Sequence, residues 1–134
     1  MEPSWSPWFA DSSQLAFFTA EGLIVSSPDG KRKRVVLRTQ EPAGLAVPSP
    51  DGRAIAYATF ASLPRSAGNY LRNWNCTGIW VVDLAEPGQP RRLTGQSPAS
   101  TYDLRWLDNQ HLVFDRVEEG FPPKAHLWMV ASER

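Results

Sequence analysis

Three short apolar segments recur along the chain, and each is followed by a second apolar segment. The first segments are residues 15–18, 55–58 and 112–115, and the second segments are residues 23–25, 79–82 and 127–130. A third segment follows in the first two units, at residues 34–39 and 91–94. Because β-branched and aromatic residues are frequent here and Pro and Gly interrupt the longer stretches, the pattern predicts short β-strands rather than helices.

A turn sequence precedes each unit. The clearest is Ser49-Pro50-Asp51-Gly52, in which Pro fixes φ, Asp bonds the local backbone and Gly accepts a positive φ. Residues 107–110 are a looser copy, and residues 8–13 form a longer copy without glycine. The chain therefore alternates between turns and strands throughout.

The spacing of the units indicates a repeat of about 40 residues. Leu15 and Ile55 are 40 residues apart, whereas Ile55 and Leu112 are 57 apart. The excess comes from a long insertion between the two apolar segments of the middle unit. A period near 40 is typical of four-stranded propeller blades. A sandwich or barrel of short strands is the alternative, but it does not explain the period.

The strand at residues 79–84 is apolar on both faces for most of its length, with Asp83 near its end. Ile79 and Val81 alternate with Trp80 and Val82, whereas a sheet with one wet face alternates apolar and polar residues. Burial on both sides is what stacking of one blade on the next requires. Trp80 and Trp128 occupy equivalent repeat positions, so we expect packing roles for them rather than a ligand cage.

Composition and charge exclude several classes of protein. The 134 residues carry 14 Lys and Arg against 14 Asp and Glu, so no net field attracts nucleic acid or an anionic membrane. The basic residues 31–34 are expected to form a solvated turn. No apolar stretch is long enough to span a membrane, and residues 1–5 do not resemble a secretory signal. Cys76 is the only cysteine, which excludes an internal disulfide.

Residues 3–7, 47–57, 79–84 and 90–94 together resemble the W-S-P-D-G-x-x-I-A-F, I-W-V-x-D-L and R-x-L-T elements of TolB-like or WD40-like (PD40-type) propeller repeats. The resemblance implies an all-β fold of four-stranded antiparallel blades. About three blades are expected, which is half of a six-bladed propeller. The third blade is expected to be incomplete, because its fourth strand would fall beyond Arg134.

The same resemblance implies one partial propeller domain over residues 1–134. Blade one covers about 2–40, blade two about 43–95 with an insertion at 60–77, and blade three about 100–134. Relatives of the TolB type imply a periplasmic protein, and a cytoplasmic location is the alternative.

No catalytic motif occurs in the sequence. A G-x-S-x-G elbow, a P-loop and a G-x-G-x-x-G fingerprint are all missing, and His111, His126 and Cys76 have no metal-site spacing. We therefore expect a non-catalytic interaction or scaffold module without cofactor or metal. The alternative is a fragment of a larger propeller protein, such as a prolyl-oligopeptidase-type serine peptidase or a bacterial sensor or regulator.

The insertion at 60–77 is the candidate site for binding a partner. Arg, Tyr and Trp are enriched at binding hot spots, and propellers often bind partners through such loops. The candidate residues are Arg65, Asn69, Tyr70, Arg72 and Trp74. The expected partner is another protein or a second copy that closes a six-bladed ring as a homodimer, with no nucleic acid and no membrane insertion. A tolerated surface insertion without function is the alternative.

Overall fold

The computed structural model describes residues 6–60, 76–94, 103–118 and 124–132. These residues form strands and no helix, so none of them belongs to a helix that could cross a membrane. The strands are β1 (Leu15–Thr19), β2 (Gly22–Ser26), β3 (Lys33–Leu37), β4 (Ala43–Pro48), β5 (Ala54–Phe60), β6 (Cys76–Asp83), β7 (Arg91–Arg92), β8 (Leu104–Trp106), β9 (His111–Glu118) and β10 (Lys124–Ala131). The all-β class predicted from the sequence is confirmed for this part of the chain.

The strands form three antiparallel sheets that follow one another along the chain. The strand orders are β1-β2-β3 in the first sheet, β4-β5-β6-β7 in the second and β10-β9-β8 in the third. Each sheet is open, so none of the described strands closes a barrel. Each sheet contains one hairpin of two successive long strands: β1–β2, β5–β6 and β9–β10. These hairpins have the same register, as three cross-strand pairs show: Phe17 with Ile24, Tyr57 with Trp80, and Phe114 with Trp128.

The first strand of each hairpin also pairs with a segment that precedes it in the sequence. Pro48 of β4 pairs with Ile55, and Trp106 of β8 pairs with Leu112. In the first sheet the same place is held by a single bridge between Trp8 and Leu15. Trp8 is therefore the residue of the first unit that corresponds to Trp106.

The strands predicted at 34–39 and 91–94 are shorter than the sequence pattern suggests. β3 ends at Leu37, and β7 consists of Arg91 and Arg92 alone. The ladder beyond β7 is completed by a side chain, because Ile79 donates its N–H to Thr94 Oγ1 at 3.0 Å while Leu93 donates its N–H to the Ile79 carbonyl at 2.8 Å.

The second sheet is packed on both faces. Along β5, Ile55 and Tyr57 contact the first sheet, whereas Ala56 and Ala58 contact the third. Every residue of β5 is buried. The core between the first and second sheets contains Phe9, Ala16, Leu23, Val25, Val36, Leu37, Ile55, Tyr57 and Val82. The core between the second and third contains Val47, Ala54, Ala56, Ala58, Phe60, Ile79, Val81, Leu104, Trp106, Leu112 and Phe114.

Candidate interaction site

The connections between strands divide the molecule into two ends. We call the end that carries connections 9–14, 27–32, 49–53, 84–90 and 107–110 the turn end. The opposite end, which we call the loop end, carries connections 20–21 and 38–42 together with the strand ends at Phe60, Cys76, Arg92, Leu104, Glu118 and Lys124. The insertion found in the sequence leaves β5 and enters β6 at the loop end.

Four connections at the turn end are built on the same aspartate turn. In each, an Asp carboxylate accepts the backbone N–H of the residue two positions later, at 2.7–3.0 Å. The donor and acceptor pairs are Ser13 with Asp11, Lys31 with Asp29, Arg53 with Asp51, and Gln110 with Asp108. Hydrogen bonds of this kind favour the charged carboxylate and lower the pKa of Asp29 and Asp108, while the Ser13 hydroxyl and then the Ser13 N–H lower the pKa of Asp11.

Neighbouring turns at this end also contact one another. The N–H of Asp51 donates to Asn109 Oδ1 at 2.9 Å, which joins the second sheet to the third. Phe9 packs close to Gly52 and joins the first sheet to the second. The turn end is therefore occupied by internal bonds that hold the sheets in place.

The loop end carries an open cleft between the first and second sheets. Its volume is about 870 Å³, and its walls are the β1–β2 turn and the β3–β4 connection. Gly22 positions the first wall, because its φ is 127° and an added Cβ would lie 2.2 Å from the Leu37 carbonyl oxygen. The lining residues are Phe18, Thr19, Ala20, Glu21, Gly22, Arg38, Thr39, Gln40, Glu41, Pro42 and Ala43.

A hydrogen-bonded chain connects the cleft to the base of the insertion. Trp80 Nε1 donates to Thr59 Oγ1 at 3.0 Å, the hydroxyls of Thr59 and Thr77 are 2.8 Å apart, and the Thr77 hydroxyl bonds the Glu41 carboxylate. Each hydroxyl has one hydrogen, so the bonds are all satisfied when donation runs from Trp80 through Thr59 and Thr77 to Glu41. The chain fixes a carboxylate at the edge of the cleft, beside the first residues of β6.

The guanidinium of Arg92 lies beside this series of hydrogen bonds. The Arg92 guanidinium carbon is 5.7 Å from the centre of the Trp80 ring, a cation–π distance, and its Nη2 donates to the Thr77 carbonyl oxygen. Gly78 leaves room for this contact, since an added Cβ would lie 2.8 Å from Trp80 Nε1 and 3.0 Å from Arg92 Nε. The loop end thus presents acidic, basic and aromatic groups on a fixed framework.

No family model matches the sequence. One curated protein, the Tol-Pal system protein TolB of Chromobacterium violaceum, is 37% identical to the chain over 84 residues. The chain is similar to part of TolB. The match covers 60% of this chain and 17% of that TolB protein, so the chain spans about a sixth of the length of TolB.

The residues predicted from the sequence to bind a partner, Arg65, Asn69, Tyr70, Arg72 and Trp74, lie outside the described residues. The basic residues 31–34 are exposed, as expected, but only Lys31 and Arg32 lie in the turn, because Lys33 and Arg34 begin β3 and pair with β2. Trp80 packs flat against Tyr57, with ring centres 6.3 Å apart, whereas Trp128 is 44% exposed. His111 bonds Asp108 at 3.0 Å and so supports its own turn.

Sequence reasoning did not identify the cleft or the residues around it. Arg38, Glu41, Thr59 and Thr77 belong to three separate segments that come together only in the folded chain. The order of the strands could have indicated that they lie near each other, because residues 38–42 join β3 to β4 and the insertion joins β5 to β6, so an even number of strand reversals separates the two. Such connections lie at the same end of a stack of antiparallel sheets.

Proposed function

We propose that this chain is a non-catalytic interaction module built from three successive TolB-like propeller blades, and that it binds a protein partner through the loop end. The repeated hairpin register, the middle sheet packed on both faces and the similarity to TolB support the blade arrangement. Blades of this kind supply a rigid frame, and the content of their loops determines what they bind.

The observation that carries the proposal is the difference between the two ends. The turn end is occupied by short, internally bonded turns, whereas the loop end has the cleft, the fixed Glu41 and the attachment points of the insertion. Binding residues are concentrated on loops that a rigid scaffold positions. The loop end is therefore the surface that fits a partner.

The chemistry of the cleft favours binding over catalysis. Its described lining contains two carboxylates and one guanidinium, Glu21, Glu41 and Arg38, but no histidine, cysteine or serine. These side chains suit ion pairs and hydrogen bonds with a protein surface.

Substitutions at the two ends test the proposal. Proteins captured by the wild-type chain from extracts of its own source would be identified and their affinities measured for three variants: Arg72→Ala with Trp74→Ala, Arg38→Ala alone, and Lys31→Ala with Arg32→Ala. We expect the first two to weaken binding, with a loss of about 2 kcal/mol, or roughly 30-fold, where a hot spot is removed. The third variant, at the turn end, is the control and should bind normally.

Melting temperature separates binding from folding in this experiment. All three variants should melt close to the wild type. Equal losses of affinity at both ends, or a large fall in melting temperature for the variant with Arg72→Ala and Trp74→Ala, would contradict the proposal.

A further inference from the structure

Exposed apolar side chains are concentrated on the two outermost sheet faces. The outer face of the first sheet, which we call the head face, consists of Trp8, Leu15, Phe17, Ile24 and Val35. The outer face of the third sheet, the tail face, consists of Val113, Asp115, Leu127 and Met129. Trp8, Val35, Leu127 and Met129 are 41%, 38%, 78% and 62% exposed. Most of the large exposed apolar side chains among the described residues lie on these faces.

The chain itself shows what covers such faces. Between the second and third sheets, the small residues Ala56 and Ala58 of the earlier sheet contact the core that holds Trp106 and Phe114 of the later sheet. Trp106 is fully buried, and its Nε1 donates to the Val47 carbonyl oxygen at 2.7 Å. The face of the second sheet that corresponds to the tail face is thus covered by the face of the third sheet that corresponds to the head face. The indole N–H of Trp106 forms a hydrogen bond across this contact.

Trp8 occupies on the head face the position that Trp106 occupies inside the molecule. Trp8 pairs with Leu15 as Trp106 pairs with Leu112. The residue after each tryptophan also bonds its own sheet in the same way, with Phe9 N–H donating to Gln14 and Leu107 N–H donating to His111. In the third sheet the counterpart of Val47 is Arg105, because Val47 pairs with Ala56 and Arg105 pairs with Val113.

We propose that the head face of one copy of this chain binds the tail face of a second copy. In this contact Trp8 is buried against β8 of the second copy, and its indole N–H donates to the Arg105 carbonyl oxygen there. The contact repeats the one between the second and third sheets and rests on the proposed blade arrangement. Two copies related by a two-fold axis use both faces of both chains, which closes the pair.

One residue of the tail face differs from the internal pattern. Asp115 stands where the second sheet has Ala58, and it accepts the Asp103 N–H at 2.7 Å. A charged group that is already bonded within its own sheet reduces the apolar area of the contact. We therefore expect a pair that dissociates at low concentration rather than a permanent dimer.

Sedimentation equilibrium over a wide concentration range, with one substitution on each face, tests the contact. The wild type should form dimers, whereas Val35→Asp on the head face and Leu127→Asp on the tail face should each raise the dissociation constant about 100-fold, because each places an unpaired charge in the buried contact. An equimolar mixture of the two variants should recover a heterodimer, because the Val35→Asp chain has an intact tail face and the Leu127→Asp chain an intact head face. Gln89→Asp adds the same charge at an exposed site outside both faces and should behave as the wild type.

Other outcomes would overturn the proposal. A wild-type monomer at every concentration, a wild-type assembly larger than two copies, dimerisation lost in only one of the two variants, or a mixture that stays monomeric is each inconsistent with a closed head-to-tail pair. Trp8→Phe keeps an aromatic ring without the N–H and should weaken dimerisation about 10-fold. Circular dichroism of each variant checks the fold. The variant with Arg72→Ala and Trp74→Ala should dimerise normally, so failure of partner binding and failure of self-association are separate results.

Discussion

Tyr57 is the largest side chain of β5 and lies between two other rings. The Phe18 ring meets it edge-on with centres 5.5 Å apart, and the Trp80 ring lies nearly parallel to it at 6.3 Å. Tyr57 is only 2% exposed, and this burial raises the pKa of its hydroxyl to about 12. The buried site between the first and second sheets therefore favours the neutral hydroxyl over the phenolate.

We predict that Tyr57 makes the free energy of unfolding fall between pH 10 and pH 12. The pKa is about 10 in the unfolded chain and about 12 in the folded one, so the unfolded state loses its proton first and is favoured as the pH rises. The loss is on the order of 2 kcal/mol. Urea unfolding at pH 8 to 12 would measure it. Tyr57→Phe should show a smaller loss over this window, and an equal loss in both proteins would contradict the prediction.

One of the two equivalent turns could be predicted from its glycine, whereas the other forms without one. The Ser49-Pro50-Asp51-Gly52 turn was predictable because Gly52 supplies the positive φ, which is 72° in the structure. The first copy has Ser12 in the equivalent place, with φ 61°. The Asp11 carboxylate holds this turn through the N–H and hydroxyl of Ser13, so the missing glycine did not remove the turn.

Between elements, the Thr59 hydroxyl connects β5 to β6. It is 4% exposed and accepts the indole N–H of Trp80 while it bonds Thr77. Removing the hydroxyl takes the acceptor from the half-buried indole N–H of Trp80 and a hydrogen-bond partner from the buried Thr77 hydroxyl. A buried group left without its partner costs more than the bond itself contributes.

We predict that Thr59→Val lowers the free energy of unfolding by about 1–3 kcal/mol. Thr19→Val is the matched control, because Thr19 is exposed at the end of β1 and the N–H of Glu21, which its hydroxyl accepts at 3.1 Å, lies where water can replace the bond. It should change stability by less than about 0.5 kcal/mol. Chemical denaturation of both variants measures the difference. Similar values for the two variants would show that the hydrogen bonds of the Thr59 hydroxyl do not contribute to stability.

Among the elements, the long hairpin strands were predictable and the strands before them were not. β5 and β6 are apolar, β-branched or aromatic and bounded by turn residues. β4 contains Pro48, a register shift and Leu45 at φ 58°, and β8 has three residues. Their pairing depends on the neighbouring strand rather than on any local pattern, so periodicity alone could not reveal them.

At the scale of the whole molecule, stability should decrease from the middle sheet outwards. We predict that the backbone amides of β5 and β6 exchange with solvent most slowly, because both faces of their sheet are covered. Amides of β10 should exchange faster, because β10 is an edge strand and its Leu127 and Met129 are exposed. Hydrogen exchange with mass spectrometry would measure this order. Uniform exchange across the three sheets would show that they open as a single unit.

The sequence predicted where in the chain the insertion lies, but not the residues that surround it in the folded protein. Repeat spacing located the insertion after Phe60, but the cleft depends on the approach of Gly22 to Leu37 and on the path of residues 38–42. These are contacts between segments distant in sequence. A repeat pattern contains no information on how closely two connections approach, so the site emerged only with the structure.

The middle sheet has a consequence for biosynthesis. Ala56, Ala58, Ile79 and Val81 leave the ribosome before the residues of β8 and β9 that will cover them. During that interval a growing chain exposes a flat apolar surface with unpaired strand edges, which is the usual starting point of aggregation. Yield in cells should therefore depend on how fast the third sheet is translated and docked, and a chaperone that shields this surface should raise it.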